Sequence, residues 1–184
     1  MHKVFVSGSM KIKNLSPAVL SRLDNIIASK YQVIVGDADG VDSSIQSYLY
    51  ERAVQDVVVY CTGRRPRNNI GKWKVESITT EAKPGTRAYF TAKDLKMAED
   101  CDYGLMIWDT KSTGTLSNAL ELLKRNKLAL VYVNKEKKFV KLKDAQDIFV
   151  LLTFMSERAK EQADSKIHLT SQVESLRHKQ ESMF

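Results

Sequence analysis

Residues 102–120 read DYGLMIWDTKSTGTLSNAL. An apolar run ends at Trp108, and beyond a polar loop the leucine and alanine residues recur at helical spacing. This pattern predicts a strand, a loop and a helix. In parallel α/β sheets, ligands lie outside the carboxyl ends of the strands, where a helix N-terminus presents free N–H groups to an anion. The segment predicts a phosphate-binding turn at Gly114 and Thr115, and the alternative is a capped turn that binds no ligand.

Two earlier turns follow apolar runs in the same way. The first is Ser7-Gly8-Ser9-Met10, and the second is Gly36-Asp37-Ala38-Asp39-Gly40-Val41-Asp42. The chain contains no GxGxxG and no GxxxxGKS/T sequence, so neither a standard dinucleotide site nor a P-loop is supported. The three carboxylates of the second turn have several interpretations. In the functional interpretations they accept ribose hydroxyls, hold a hydrated Mg²⁺ or act as a general base. In the alternative, Asp39 or Asp42 stabilises a helix N-terminus and Asp37 is merely solvated.

Apolar runs alternate with helical patterns along the chain, which is typical of a doubly wound α/β fold. We predict a Rossmann-like, mainly parallel sheet of about five or more strands, with helices on both faces. The predicted strands lie at 3–7, 31–35, 56–60, 105–108 and 128–133, with a short edge strand at 75–79, and a late helix is predicted over 144–159. We expect residues 1–160 to form this domain and residues 161–184 to form a polar C-terminal tail or helix.

Composition restricts the class of protein. The chain has 184 residues, of which 43% are hydrophobic and 28% charged, and this suits one domain with a sizeable core. No window approaches the roughly eighteen apolar residues of a membrane span, and the N-terminus lacks the apolar core of a signal peptide, so we expect a cytoplasmic protein. Cys61 and Cys101 form no CxxC pair, so we expect reduced thiols and no metal site. The three histidines lie near the chain ends, which excludes a histidine general base in the body.

The net charge of +7 arises almost entirely from residues 61–93. A basic stripe of this kind attracts phosphates, either of a nucleotide or of a nucleic acid backbone. The first part of it, residues 61–86, is long for a connection and contains Trp73. This part is either a lid that closes over an anionic ligand, with Trp73 stacking on a base, or a solvated excursion.

Taken in order, the three turns resemble the SLOG superfamily of Rossmann-like proteins, which includes the cytokinin-activating LOG enzymes and the DNA-processing protein Smf. The resemblance covers residues 3–133. It rests on a G-x-x-x-G-x-D turn at residues 36–42 and a W-D-G-x-S-x-G-T loop at residues 108–115, in which Thr110 replaces the first of the two usual glycines. The resemblance implies a sheet that binds a nucleotide, nucleotide sugar or ADP-ribose-like molecule, with phosphate at the final glycine and threonine of that loop.

The resemblance also bears on whether the protein is an enzyme. The LOG enzymes carry P-G-G-x-G-T-x-x-E, in which the final glutamate serves cleavage of an N-glycosidic bond. Asn118 stands at that position here, and an amide does not take a proton as a carboxylate does. If the protein hydrolyses nucleotides, the catalytic carboxylates come from Asp109, Asp42, Asp94 or Glu121.

We therefore predict a homo-oligomeric protein that binds a small phosphorylated nucleoside derivative at the carboxyl edge of the sheet. Asp39 or Asp42 is expected to hold ribose, and Arg87 is the expected counter-charge. The alternatives are a nucleotide N-glycosidase and a nucleic-acid-binding protein that uses residues 61–93. The predicted ligand-binding residues are Gly8, Ser9, Met10, Gly36, Asp37, Asp39, Gly40, Asp42, Arg87, Asp94, Asp109, Ser112, Gly114, Thr115 and Asn118.

Overall fold

The structure is a computed structural model that describes residues 1–182. The strands are β1 (Lys3–Gly8), β2 (Gln32–Gly36), β3 (Val57–Thr62), β4 (Lys74–Ile78), β5 (Tyr103–Trp108), β6 (Leu128–Val133) and β7 (Lys138–Leu142). The helices are α1 (Pro17–Ala28), α2 (Val41–Glu51), α3 (Arg87–Asp100), α4 (Thr113–Lys124), α5 (Ala145–Leu152), α6 (Glu157–Ile167) and α7 (Leu169–Glu181).

The strands described form one sheet in the order β4-β3-β2-β1-β5-β6-β7. Neighbouring strands from β4 to β6 are parallel, and β7 pairs with β6 in the antiparallel direction. This arrangement confirms the predicted Rossmann-like α/β class, including the edge strand predicted at 75–79, which is β4. Among the described helices, none is long and apolar enough to cross a membrane.

Alternating side chains along the central strands divide the core between the two faces of the sheet. In β1, Val4 and Val6 pack on one face and Phe5 packs on the other. Helices α1 and α2 cover the first face, and helices α3 to α7 contribute to the core on the second. Both faces of the central strands are therefore buried, as expected of parallel strands joined by helical crossovers.

The region after β6 differs from the prediction. The pattern does not predict β7, because lysines at both Lys138 and Lys141 interrupt its apolar residues. The predicted helix over 144–159 is two helices, α5 and α6. The hydroxyl of Ser156 accepts a hydrogen bond from the N–H of Ala159 at 3.2 Å, so a new helix begins there.

The C-terminal helices α6 and α7 pack against the domain. Ala163 and Ile167 of α6 and Val173 of α7 belong to the same core cluster as the buried residues of α4 and α5. The boundary expected after residue 160 falls inside α6. Burial of this apolar surface holds α6 beside α4, where it reaches the carboxyl edge of the sheet.

Candidate functional site

The candidate site lies where the order of strands reverses. From β1 the chain adds β2, β3 and β4 on one side of the sheet and then returns to add β5 and β6 on the other. Strands β2, β1 and β5 are adjacent and parallel, so the loops that follow them meet at one edge. A crevice at such a reversal is the usual ligand site of open α/β sheets.

The side chain of Ser9 connects the first and third of these loops. Its hydroxyl accepts a hydrogen bond from the N–H of Asp109 at 3.0 Å and lies 3.4 Å from the hydroxyl of Thr115. The N–H of Ser9 donates to the carbonyl of Ile107 at 2.9 Å. Ser9 is fully buried, so it fixes the two turns relative to each other and does not line the cavity between them.

The N-terminus of α4 opens at this edge. The hydroxyl of Ser112 accepts hydrogen bonds from the N–H and the hydroxyl of Thr115, at 3.3 and 3.0 Å. Within residues 1–182, the N–H groups of Thr113 and Gly114 have no hydrogen-bond acceptor. A Cβ added at Gly114 would meet nothing nearer than the Ser112 hydroxyl at 3.9 Å. Two donors at the start of α4 are therefore left without an acceptor among the described residues, which is the arrangement that binds an anion.

Asp109 shapes the turn before α4. Its Oδ1 accepts hydrogen bonds from the N–H groups of Lys111 and Ser112, at 2.9 and 2.7 Å. Within this turn Thr110 has φ 67°, a left-handed conformation that glycine adopts more readily. The carboxylate of Asp109 is engaged by its own loop, which is a structural role.

A cavity of about 410 Å³ lies beside the N-terminus of α4. Its volume is in the range of about 300–1,000 Å³ that small-molecule sites occupy. Of the predicted binding residues, those that line it are Gly8, Met10, Asp42, Asp94, Asp109, Ser112, Gly114, Thr115 and Asn118. The three predicted turns thus contribute to one cavity, and α3 and α6 add further side chains to it.

A buried group of charges forms part of the cavity wall. Asp42 and Lys93 are only 3% and 4% exposed, and the Lys93 ammonium lies 2.7 Å from the carboxylate of Asp94. Burial raises the pKa of Asp42 to about 6, although the Lys93 ammonium partly offsets this. Burial also opposes the charge on Lys93, but the carboxylates of Asp94 and Asp42 outweigh it and raise the Lys93 pKa. The cluster thus places two carboxylates, those of Asp42 and Asp94, around the single ammonium of Lys93.

The Oδ1 atom of Asp42 has no hydrogen-bond partner among the described residues. A buried acceptor without a donor costs about 1–3 kcal/mol, so any donor group that reached this oxygen would recover that free energy. Elsewhere, no group of three or more His, Cys, Asp or Glu side chains within residues 1–182 is arranged to hold a metal ion.

Two glycines permit the close approach of the turns. A Cβ at Gly36 would lie 2.3 Å from Oδ2 of Asp42 and 2.7 Å from the Lys93 ammonium. Gly40 has φ 79°, and its Cβ would lie 2.2 Å from the carbonyl oxygen of Met10. Both glycines were predicted as ligand-binding residues, but neither lines the cavity, and their role here is to let the second turn fold against its neighbours.

Asp37 and Asp39 do not line the cavity either. The carboxylate of Asp37 accepts hydrogen bonds from the Arg67 guanidinium at 3.1 and 2.8 Å and from the Arg67 N–H at 3.0 Å. Burial opposes ionisation of Asp37, but these bonds outweigh it and hold its pKa below the usual range. Asp39 accepts a hydrogen bond from the side-chain amide of Asn68 at 3.0 Å. Both carboxylates therefore anchor the segment that follows β3.

Arg87 and Glu121 lie outside the cavity lining as well. The guanidinium of Arg87 donates to the hydroxyl of Thr113 at 3.1 Å, which places it beside the first residue of α4. Glu121 forms ion pairs with Lys124 and Arg125 of its own helix region. Its carboxylate is thus occupied away from the cavity.

The side chain of Trp73 is held by contacts within the fold. Its indole N–H donates to the carbonyl of Val54 at 2.8 Å, and its ring packs against the core on the α1 and α2 face. The side-chain amide of Asn69 bonds the N–H and the carbonyl of Trp73, at 3.0 and 2.9 Å. Trp73 does not line the cavity, so it is not placed to stack on a base there.

Several residues that line the cavity were not predicted as binding residues from the sequence. They are Lys11, Lys93, Lys111, Gln162 and Lys166. Lys93 lies four residues before the buried Met97, a spacing that places both on the inner face of a helix. This spacing was visible in the sequence. A lysine is rarely buried on the inner face of a helix, however, so the sequence favours an exposed Lys93.

Comparison with known proteins supports the fold. No protein-family model matches the chain, and no curated protein matches it. Among solved structures, the chain is similar to DNA processing protein A from Helicobacter pylori, whose structure concerns a single-stranded DNA binding mode. The two chains are 18% identical with a TM-score of 0.51, and the similarity covers 71% of this chain and 64% of that chain. The chain thus spans less than two thirds of that protein's length, and at this identity the likeness establishes a common fold.

Proposed function

We propose that the protein binds a small phosphorylated nucleoside derivative in the cavity beside α4. The observation that carries the proposal is a pair of complementary ends in one cavity: free N–H groups at Thr113 and Gly114, and the unpartnered buried acceptor of Asp42. The first suits a phosphate, and the second suits a ribose hydroxyl or an amine. Membership of the SLOG superfamily is part of this proposal, and the motifs at residues 36–42 and 108–115 support it.

Gly114→Val tests the position of the phosphate. The added side chain enters open space, so the fold is expected to remain intact while the approach to the free N–H groups is blocked. We expect at least one member of a panel of nucleoside mono- and diphosphates to bind the wild type in calorimetry. In the variant its affinity is expected to fall by about 30-fold or more, because about 2 kcal/mol of charge-assisted hydrogen bonding is lost.

Ser117→Val is the matched control, because Ser117 lies on the same helix and does not line the cavity. Its affinity for the same nucleotide is expected to equal that of the wild type. Thermal unfolding of both variants checks that they fold. An affinity that is equal in the wild type and in Gly114→Val would refute the placement of phosphate at α4.

A nucleotide N-glycosidase is the catalytic alternative, and Asp42 is the residue that favours it. Asp109 and Glu121 are engaged by their own loop or helix, whereas Asp42 lines the cavity with a pKa of about 6, which suits a general base near neutral pH. Chromatography of nucleotides incubated with the protein tests this alternative. Release of free base by the wild type but not by Asp42→Asn would support it, and no release by either would exclude it for the nucleotides used.

Nucleic-acid binding is the third candidate. The fold similarity to a protein with a single-stranded DNA binding mode favours it, as do the exposed side chains of Arg64 and Arg65 near the same edge of the sheet. A nucleic-acid-binding surface predicts that affinity for a single-stranded oligonucleotide falls steeply with salt. It also predicts that Arg64→Ala with Arg65→Ala weakens binding, whereas Gly114→Val leaves it unchanged.

A further inference from the structure

Part of the sheet face on which α1 and α2 pack is left exposed over β5 and β6. Helix α4, which connects these two strands, belongs to the core on the opposite face, and a tight turn joins β6 to β7. None of the described helices that follow β5 therefore lies on this face. Towards the carboxyl edge the loop before α1 covers it, and the hydroxyl of Ser16 donates to that of Tyr132 at 2.8 Å. Towards the amino edge Leu128, the first residue of β6, is 39% exposed.

Two adjoining cavities form a groove in this exposed part, which we call the amino-edge groove. Their volumes are about 230 and 330 Å³, and both are lined by Arg22, Tyr103 and Leu130. The strand register pairs Leu130 with Leu105 in β5 and with Lys141 in β7, so these three side chains project from the same face of the sheet. Further apolar residues of the lining are Val4, Ile26 and Leu128.

Aromatic side chains form one wall of the amino-edge groove. The rings of Tyr31 and Tyr103 are stacked with 6.1 Å between their centroids, and the ring of His2 contacts both. Tyrosine supplies a large apolar contact area and has few rotatable bonds, so little conformational entropy is lost when a partner packs against it. This wall therefore suits an apolar side chain.

The charged residues that line the amino-edge groove are both cationic, Arg22 and Lys141. Both side chains are exposed, and within residues 1–182 neither forms an ion pair. The guanidinium of Arg22 lies 5.4 Å from the centroid of the Phe139 ring, which holds it over the sheet. The carboxylate of Asp102, just before β5, accepts a hydrogen bond from the N–H of Lys3 at 2.7 Å and does not line the groove. Unpaired cations beside an apolar groove are complementary to carboxylates that flank an apolar side chain.

We propose that the amino-edge groove binds an acidic peptide segment of a partner protein. Apolar side chains of the segment enter the groove, and its carboxylates pair with Arg22 and Lys141. A second copy of this chain is a poorer partner, because a twofold interface centred on the groove would bring the cations of both copies together. The groove lies at the amino ends of β1, β5 and β6, opposite the cavity beside α4, so the inference does not depend on nucleotide binding.

A displayed library of random dodecapeptides, selected on the wild-type protein, tests the proposal. We expect the recovered peptides to be enriched in aspartate and glutamate next to a large apolar residue. One recovered peptide, labelled with fluorescein, is then titrated in fluorescence anisotropy. Arg22→Glu is expected to weaken its binding by at least about tenfold, because an attractive charge pair becomes a repulsive one. Leu128→Gln is expected to weaken it by about fivefold, because apolar contact is lost.

Arg158→Glu is the matched control, because it makes the same charge change at an exposed residue of α6 that does not line the amino-edge groove. It is expected to leave the peptide affinity unchanged, and thermal unfolding checks that all three variants fold. A selection without acidic enrichment, or binding that survives both Arg22→Glu and Leu128→Gln, would overturn the proposal. A dimer in analytical ultracentrifugation that Leu128→Gln dissociates would also overturn it, since the groove would then be occupied by a second copy.

Discussion

Replacement of Asp42 by asparagine is expected to change how the stability of the protein depends on pH. Asp42 is buried against Lys93, Asp94 and the turn at Asp37, and burial raises its pKa to about 6 from 3.8. As the pH falls towards 6, the folded state takes up a proton at Asp42, while the unfolded state does not do so until the pH approaches 3.8. The contribution of this carboxyl group to stability therefore rises as the pH falls between those values.

The size of the effect follows from the two pKa values. Each pH unit between them corresponds to about 1.4 kcal/mol, so the full effect is about 3 kcal/mol. Between pH 7.5 and pH 5, linkage gives a gain of about 1.5 kcal/mol in the free energy of unfolding. The asparagine variant cannot titrate at this position and lacks that gain. Lys93 retains its ion pair with Asp94 in the variant.

Urea unfolding followed by tryptophan fluorescence at several pH values measures this difference. The buried Trp108 and partly buried Trp73 report on the two faces of the sheet. Carboxylates with lowered pKa values, such as Asp37 and Asp100, lose stabilisation in acid in both proteins, so their contributions cancel in the comparison. The reasoning is refuted if the difference in stability between wild type and Asp42→Asn does not change between pH 7.5 and pH 5.

Two further predictions concern the turns around the cavity. Arg67→Gln leaves the buried carboxylate of Asp37 without its charged partner, so we expect the free energy of unfolding in urea to fall by about 2–3 kcal/mol at pH 7. Because the Asp37 pKa is lowered in the wild type, this loss is expected to shrink as the pH falls towards 3.8. A loss that does not depend on pH would contradict this reasoning. Gly40→Ala is expected to lower the free energy of unfolding by at least about 2 kcal/mol, because it adds a clash with the Met10 carbonyl to backbone strain. In the control Gly85→Ala, φ is similar at 83° but a Cβ meets nothing within 4 Å, so we expect a loss of about 1 kcal/mol. Equal losses in the two variants would show that the clash at Gly40 is relieved.

The fold was predictable because its signals are local and repeated. Strands such as β1 and β5 are short apolar runs that end in polar turns, and these turns necessarily meet at the carboxyl edge of a parallel sheet. The C-terminal helices gave a weaker signal, because α6 packs through Ala159 and Ala163, small residues that barely register in a hydrophobic pattern. The antiparallel β7 was not predicted because its lysines interrupt the apolar pattern of a strand.

The sequence predicts where the candidate site lies in the fold, but it does not predict the role of each residue there. Sequence position places Asp37, Asp42 and Asp109 at the same edge, but it does not show which carboxylate is already engaged. Asp37 is bound by Arg67, which is 30 residues away, and Asp109 by its own loop, so only the three-dimensional contacts single out Asp42. Lys166 was equally inaccessible to sequence reasoning, because its place in the cavity depends on how α6 packs.

The buried hydroxyl of Ser9 joins two of the loops around the cavity before any ligand arrives. Because these loops are ordered when the protein folds, ligand binding does not have to supply the entropic cost of ordering them. Such a preorganised site is expected to associate with its ligand in a single fast kinetic phase, with hydrogen exchange in the two loops already slow in the free protein.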